Sequence, residues 1–377
     1  MPSQDSPLAS LPGYKHETLP YKHSKHGDLL VDIAYPDTAD RSDATVVIHF
    51  HGGFLVIGDR LSFLPWWLVN LCVARKWIFV TPDYRLLPET TAQSTFDDAF
   101  DAYSWVLMGL CQRIGRQVGS VIVAGSSAGG YLALTAASRA SFHRQPSALL
   151  LIYGMLDPAN TRYTKPGSSV SGKPEIETGP VLEQFPIPKE SHDGPVFSGQ
   201  AIDGDPMAGP RGQFILALHQ DALFPDYMTG IKGLSKEISS KGAEAIPEKH
   251  RNLFPLTFGE LGKLPPTFLL HGKNDSAVPV ELSIGAAEKL KAAGVQVHAE
   301  FPDDAEHGFD VRSGNIDVDK GDENSVPAFH TLKKVVSFLD EVRKDGFYDP
   351  PRSTSAEDAS PENPAEDVAQ LEQPDLD

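Results

Sequence analysis

Ser120-Val121-Ile122-Val123-Ala124-Gly125-Ser126-Ser127-Ala128-Gly129-Gly130-Tyr131-Leu132-Ala133-Leu134 is the stretch on which the reading of this chain turns. Ser120–Ala124 is a short apolar run of the kind that forms a strand buried on both faces, and Tyr131–Ala140 reads as a helix. Between them, Gly125-Ser126-Ser127-Ala128-Gly129 has the form G-x-S-x-G. Glycines two residues either side of a serine are required where a strained strand-to-helix turn brings the flanking backbone too close for a Cβ. The pentapeptide alone is a glycine-rich turn as readily as a site. With a strand before it and a helix after it, it marks Ser127 as a candidate nucleophile.

The same strand and helix rhythm extends outward from about Tyr14 to Lys344. Strands are expected at Leu29–Tyr35, Thr45–Phe50, Trp77–Pro82, Ser120–Ala124, Ala148–Tyr153, Pro266–Gly272 and Gln296–Phe301. Several are continuous apolar runs, so the fold class is α/β, a mostly parallel central sheet flanked by helices. Thr95–Arg113 is the clearest helix, with Phe96, Phe100, Tyr103 and Leu107 on one face. Its Asp97, Asp98 and Asp101 are expected on the solvated face and not around a metal. Further helices are expected at Glu281–Ala293 and Ala328–Arg343. The alternation fails between Asp157 and Lys263, a Pro-, Gly- and Ser-rich insertion between two strands. The expected organisation is a flexible N-terminus (1–13), one domain (14–348) with a cap insertion at about 158–263, and a disordered acidic tail (349–377).

A serine nucleophile needs a general base, a carboxylate to orient that base, and donors for the oxyanion. His51-Gly52-Gly53-Phe54 follows the strand Thr45–Phe50. The missing side chains of Gly52 and Gly53 leave their amides open to a substrate oxygen, and Ala128 N–H, at the start of the helix after the serine, is the third expected donor. His271-Gly272-Lys273-Asn274-Asp275 ends one strand, and Asp304-Ala305-Glu306-His307-Gly308-Phe309 follows another. Asp275 and His307 therefore come to the same carboxyl edge of the sheet, in the chain order Ser, Asp, His.

The assembled set resembles the hormone-sensitive-lipase-like branch of the α/β-hydrolases, a family of carboxylesterases and lipases. The resemblance rests on His51-Gly52-Gly53, on Asp83-Tyr84-Arg85-Leu86-Leu87-Pro88-Glu89, on Gly125-Ser126-Ser127-Ala128-Gly129-Gly130, and on Asp275 and His307. It implies an α/β-hydrolase fold, hydrolysis of a carboxylic ester through an acyl-enzyme, and a structural role for Tyr84 and Arg85 near the oxyanion loop. Two departures stand out. Ser126 occupies a position where the family usually has an acidic residue, and the N-terminal helical cap common in this branch is missing or very small. The insertion is the obvious replacement, and Phe214, Leu218, Phe224 and Tyr227 are expected to wall an apolar acyl or alcohol pocket over Ser127. The same machinery cleaves amides, thioesters or lactones, and it can serve elimination or cyclisation on a biosynthetic intermediate. A receptor on this scaffold is the remaining alternative, disfavoured because His307 is retained.

The remaining signals bound the partners. A net charge of −18, from 33 Lys plus Arg against 51 Asp plus Glu, argues against nucleic acid or an anionic membrane as partner. Eight acidic residues against one basic residue from Pro351 onward account for part of it. No apolar run reaches membrane-span length, and Met1–Leu11 lacks the pattern of a secretory signal. Cys72 and Cys111 are expected as buried free thiols, and a glycan on the sequon Asn274-Asp275-Ser276 would obstruct Asp275. Together these point to the cytoplasm, a small ester substrate, no cofactor or metal, and at most a second copy of the chain as a homodimer. The pairs Lys15-His16, Lys22-His23 and Lys25-His26 fit a surface β-hairpin, and His49 and His51 read as structural.

Overall fold

The computed structural model describes residues 6–40, 42–140, 144–189, 196, 205–321 and 328–346. Eight strands join in the order β1-β2-β4-β3-β5-β6-β7-β8. They are β1 (Tyr14–Ser24), β2 (Gly27–Pro36), β3 (Ala44–Phe50), β4 (Ile78–Pro82), β5 (Val118–Ser126), β6 (Ala148–Ile152), β7 (Thr267–Leu270) and β8 (Val297–Glu300). Strands β3 to β8 are parallel to one another, and β2 runs antiparallel to both β1 and β4. All seven expected strands are present. The basic His-rich stretch is β1, which turns into β2 at Ser24–Gly27, so the expected hairpin forms one edge of the sheet.

Layering follows from the two-residue side-chain period of a strand. Val46, Ile48 and Phe50 of β3 enter one apolar core, and Val47 enters the core on the other face. With helices on both sides, β4, β6 and β7 are buried along their whole length. The chain leaves β3 for β4 on one side and returns with β5 on the other, so the loops after β3 and β5 flank a switch point, where ligands bind in open α/β sheets. Register makes them neighbours, since Phe50 pairs with Gly125.

Several details differ from expectation. The long helix is Ala92–Met108, and after Gly109 it continues only as the short turn Leu110–Ile114. Asp98 is not on a solvated face. It is fully buried and takes Arg85 through Nε (2.8 Å), Nη2 (2.8 Å) and backbone N–H (3.0 Å). The reason is that β1 and the Tyr84–Arg85 segment cover this flank, where Lys22 bridges Asp98 and Asp101. The expected flexible N-terminus is packed from Ser6 on, because the turn Pro7–Ser10 buries Leu8. Both cysteines are free, yet only Cys72 is buried. The acidic tail lies outside the described residues. No described helix is long and apolar enough to cross a membrane.

Among the described residues the segment between β6 and β7 carries helices and no strand. Its main pieces are Thr161–Thr164, Thr178–Gln184, Pro210–Gln220, Phe224–Thr229 and Leu234–Lys241. Phe214, Leu218, Phe224 and Tyr227 are buried there. Phe214 stacks on Phe185 at 4.8 Å and meets Tyr227 edge-on at 5.0 Å.

Candidate active site

Ser127 sits at φ 57°, in the left-handed region that a non-glycine residue occupies only when its surroundings hold it there. The holding contacts are specific. Its N–H donates to the Ile152 carbonyl (2.8 Å), and its own carbonyl accepts from Gly130 N–H and Met155 N–H (both 3.0 Å). The flanking glycines are required by close approach. A Cβ on Gly125 would lie 2.0 Å from the Gly129 carbonyl oxygen, and one on Gly129 would lie 1.9 Å from that of Phe50. The helix Ala128–Ala140 starts at the next residue, so the Ala128 N–H is one of the first-turn amides that have no acceptor within the helix.

Gly52 lies directly against Ser127, since a Cβ on it would be 3.1 Å from the Ser127 Cβ and 3.2 Å from the Ser126 carbonyl oxygen. Behind this loop, His51 Nδ1 donates to the Gly52 carbonyl (2.7 Å), the Tyr84 hydroxyl donates to the His51 carbonyl (2.8 Å), and the two rings stack at 4.2 Å. Burial pushes the His51 imidazole down to about 4, so it is neutral and keeps that Nδ1 proton. Tyr84 thus has the supporting place beside this loop that the resemblance implies, while Arg85 is held by Asp98 on the helix Ala92–Met108.

His307 Nδ1 is 2.7 Å from Asp275 Oδ2. A carboxylate only accepts, so Nδ1 carries a proton, and in the neutral ring Nε2 is the nitrogen with the free lone pair. Asp275 Oδ1 accepts from Ala277 N–H and Val278 N–H, both at 2.8 Å. Burial raises this carboxyl, but hydrogen bonds from His271 and His307 outweigh it and hold Asp275 well below the usual carboxylate range. His271 is a partner that sequence reading missed. Its Nε2 donates to the Val278 carbonyl (2.8 Å) and reaches Asp275 Oδ2 (3.1 Å), while Nδ1 accepts from the Ser283 hydroxyl (2.7 Å). Its place at the end of an apolar strand, four residues before Asp275, was the available signal.

Tyr153, Asp310 and Trp67 were also missed. The Tyr153 ring lies 4.6 Å from that of His307, and its hydroxyl donates to Asp310 Oδ1 (2.6 Å). Trp67 Nε1 donates to Asp310 Oδ2 (2.8 Å). Asp310 follows His307 by three residues, so this clamp anchors the loop that carries the imidazole. At Ser126, where the resembling family has an acid, the hydroxyl instead meets His49 Nε2 at 3.0 Å, and burial pushes His49 down to about 3.

Ser127, His307, Gly52 and Gly53 all line one cavity of about 720 Å³. The floor is polar, and Phe54, Ile57, Phe63, Met207 and Val311 supply an apolar wall. At the rim are two ion pairs, Lys173 with Asp205 (2.7 Å) and Arg312 with Glu306 (2.9 Å). Phe214, Leu218, Phe224 and Tyr227, expected to form that wall, do not reach it. They are buried in the same apolar core as the sheet strands, with the Phe224 ring 6.3 Å from that of Phe54, so their side chains are used for packing behind the wall and not in it. The insertion contributes Ser171, Lys173 and Asp205–Met207 instead.

Residues 47–198 match a family model described as alpha/beta hydrolase fold. A non-reducing polyketide synthase of Aspergillus terreus is 29% identical over 78% of the chain, which spans 13% of that synthase's length. A probable carboxylesterase of a Phoma species is 26% identical over 77% of the chain and 88% of its own length. Among solved structures, an esterase of Pyrobaculum calidifontis (21% identity, TM-score 0.55) covers 90% of this chain and 87% of its own. A bacterial heroin esterase (20% identity, TM-score 0.57) covers 89% and 86%. The chain thus has the alpha/beta hydrolase fold, and it is similar to esterases of that fold, as the hormone-sensitive-lipase-like motifs suggested.

Proposed function

We propose that the protein is a serine hydrolase that cleaves a carboxylic ester of a small or medium, largely apolar substrate through an acyl-enzyme. The observation that carries this reading is the 2.7 Å contact between His307 Nδ1 and Asp275 Oδ2, on the cavity that also holds the strained Ser127. Ser127 Oγ attacks the carbonyl carbon as His307 Nε2 takes its proton. The carbonyl oxygen becomes an oxyanion, held by Gly52, Gly53 and Ala128 N–H. Asp275 stabilises the imidazolium so formed. His307 then protonates the departing alcohol, and a water molecule, activated by the same imidazole, releases the acid and restores Ser127. The helical insertion acts as the cap, narrowing the open edge of the sheet so that the oxyanion donors work with less competition from water.

A second reading is favoured by one observation, the match to non-reducing polyketide synthases over 78% of this chain. The attacked acyl group is then a thioester of a natural-product intermediate, and the thiol departs in place of the alcohol. A panel of 4-nitrophenyl esters of rising acyl length, run beside matched thioesters, separates the two. The ester reading expects higher kcat/KM on esters with an optimum at a medium acyl length. Turnover of thioesters alone would favour the second, and no turnover of either class would overturn both.

A further inference from the structure

Gly53, one of the proposed oxyanion donors, opens a tight turn. Its carbonyl accepts from Val56 N–H (2.9 Å) and Ile57 N–H (3.0 Å), and both intervening residues, Phe54 and Leu55, sit at positive φ, 56° and 62°. Two consecutive non-glycine residues in the left-handed region do not hold their shape unaided, so the surroundings must over-determine the turn. Leu87 N–H donates to the Leu55 carbonyl (2.8 Å), and the side-chain contacts that add to it come from the insertion. Arg211, in the first turn of the helix Pro210–Gln220, donates from Nε to the Val56 carbonyl (2.7 Å). Its Nη1 and Nη2 form a two-point ion pair with Glu89 Oε1 (2.8 Å) and Oε2 (2.9 Å), and Nη2 also donates to the Leu87 carbonyl. A planar guanidinium fixed at Glu89 has little freedom left, so it presents Nε to Val56 in one direction. At the far end of the same helix, His219 meets the Phe54 ring edge-on at 4.8 Å. The helix therefore grips the turn on both sides, while Pro206 and Met207 of the cavity wall pack against its Gly212.

We infer that Arg211 is a positioning residue for the oxyanion hole, holding the Val56 carbonyl so that the Gly53 amide keeps its aim at the substrate oxygen. This rests on the proposed ester hydrolysis, in which Arg211 touches neither substrate nor Ser127. Its effect falls on the transition state, because only there does the oxygen carry the charge that a misaligned amide fails to meet.

The test compares the wild-type protein with Arg211→Met, Arg211→Lys and Glu89→Gln. Arg211→Met is expected to lower kcat about 10- to 100-fold, as misplacement of a catalytic group by about 1 Å does, with KM within about twofold. Affinity for an alkyl trifluoromethyl ketone, whose adduct with the serine places an oxyanion in the hole, should fall by the same factor. Hydrogen exchange of the Val56 and Ile57 amides should quicken. Arg211→Lys should restore part of the loss, and Glu89→Gln should give a smaller one because the Val56 contact survives. A purely structural stitch would lower melting temperature in all three variants with kcat, ketone affinity and exchange at 53–57 unchanged, and that result would overturn the inference. Exchange is read without turnover, so it decides whether Arg211 holds the turn even if the wild-type protein fails to hydrolyse esters, which would count against the functional reading alone.

Discussion

At the nucleophile elbow, position is set by backbone. The Ser127 amide and carbonyl are bonded to the end of β6, to the following helix and to Met155, and glycines stand where any Cβ would meet a main-chain oxygen within 2.0 Å. In the helical insertion, position is set by side chains reaching far along the sequence. Arg211 touches residues 155 and 122 positions away, and Phe214, Phe185 and Tyr227 pack on one another. The first kind of constraint is rigid and tolerates no added atom. The second is spread over many contacts, so one substitution weakens it without abolishing it. On the proposed reading the chemistry resides on the sheet edge, and the insertion supplies only part of the cavity wall.

Four substitutions exploit that difference, beginning with the largest effect. Ser127→Ala and His307→Ala should each reduce ester turnover by at least about 10³-fold with the fold intact, and the double variant should be little worse than either, since the residues act as a unit. Additive losses, read from single-turnover kinetics and circular dichroism, would break the proposed assignment. Gly129→Ala forces the elbow apart and should lower kcat by about 100-fold or more, as a small displacement of a reacting group does. By contrast, Phe214→Ala opens a hole in the apolar core away from the cavity and should cost about 3–5 kcal/mol of stability in urea titration, with acyl-length preference unchanged. A shift in that preference would return Phe214 to the cavity wall.

Much of the sheet edge was legible in the sequence because each part is fixed within a few residues of a strand end. The G-x-S-x-G pentapeptide, the two glycines after β3, and Asp275 and His307 after β7 and β8 all sit where strand periodicity places them. His271 was legible in principle and passed over. The cavity wall at Asp205–Met207, the Tyr153–Asp310–Trp67 clamp and the Arg211 contact were not. They depend on which faces of short helices meet, and the helix Pro210–Gln220, apolar on several faces and buried from Phe214 to His219, offers no single stripe to read. Asp98 was misjudged for a related reason. A carboxylate on a helix looks solvated until the segment carrying its arginine is known to cover it.

Buried histidines give a smaller effect that distinguishes the two regions by pH. Burial pushes His49 down to about 3, His51 to about 4 and His219 to about 3, so all three fold neutral. The unfolded chain takes up protons on them below about pH 6.5. Stability is therefore fully present above that pH and falls as pH drops toward 3–4, by about 1.4 kcal/mol per pH unit for each histidine. His219 lies among Phe54, Tyr163 and Phe224. His219→Phe should remove about one proton from the uptake on unfolding between pH 4 and 6, measured from the slope of unfolding free energy against pH. An unchanged slope would mean that His219 is not neutral inside the insertion.

The central claim, that Ser127 is the nucleophile of an ester-cleaving site, is tested most directly by treating the wild-type protein with a fluorophosphonate and locating the adduct by peptide mass spectrometry. The account predicts a single phosphonylated serine, Ser127 and not the adjacent Ser126, with labelling lost in Ser127→Ala and greatly slowed in His307→Ala. An adduct on another residue, or undiminished labelling of Ser127→Ala, would contradict it.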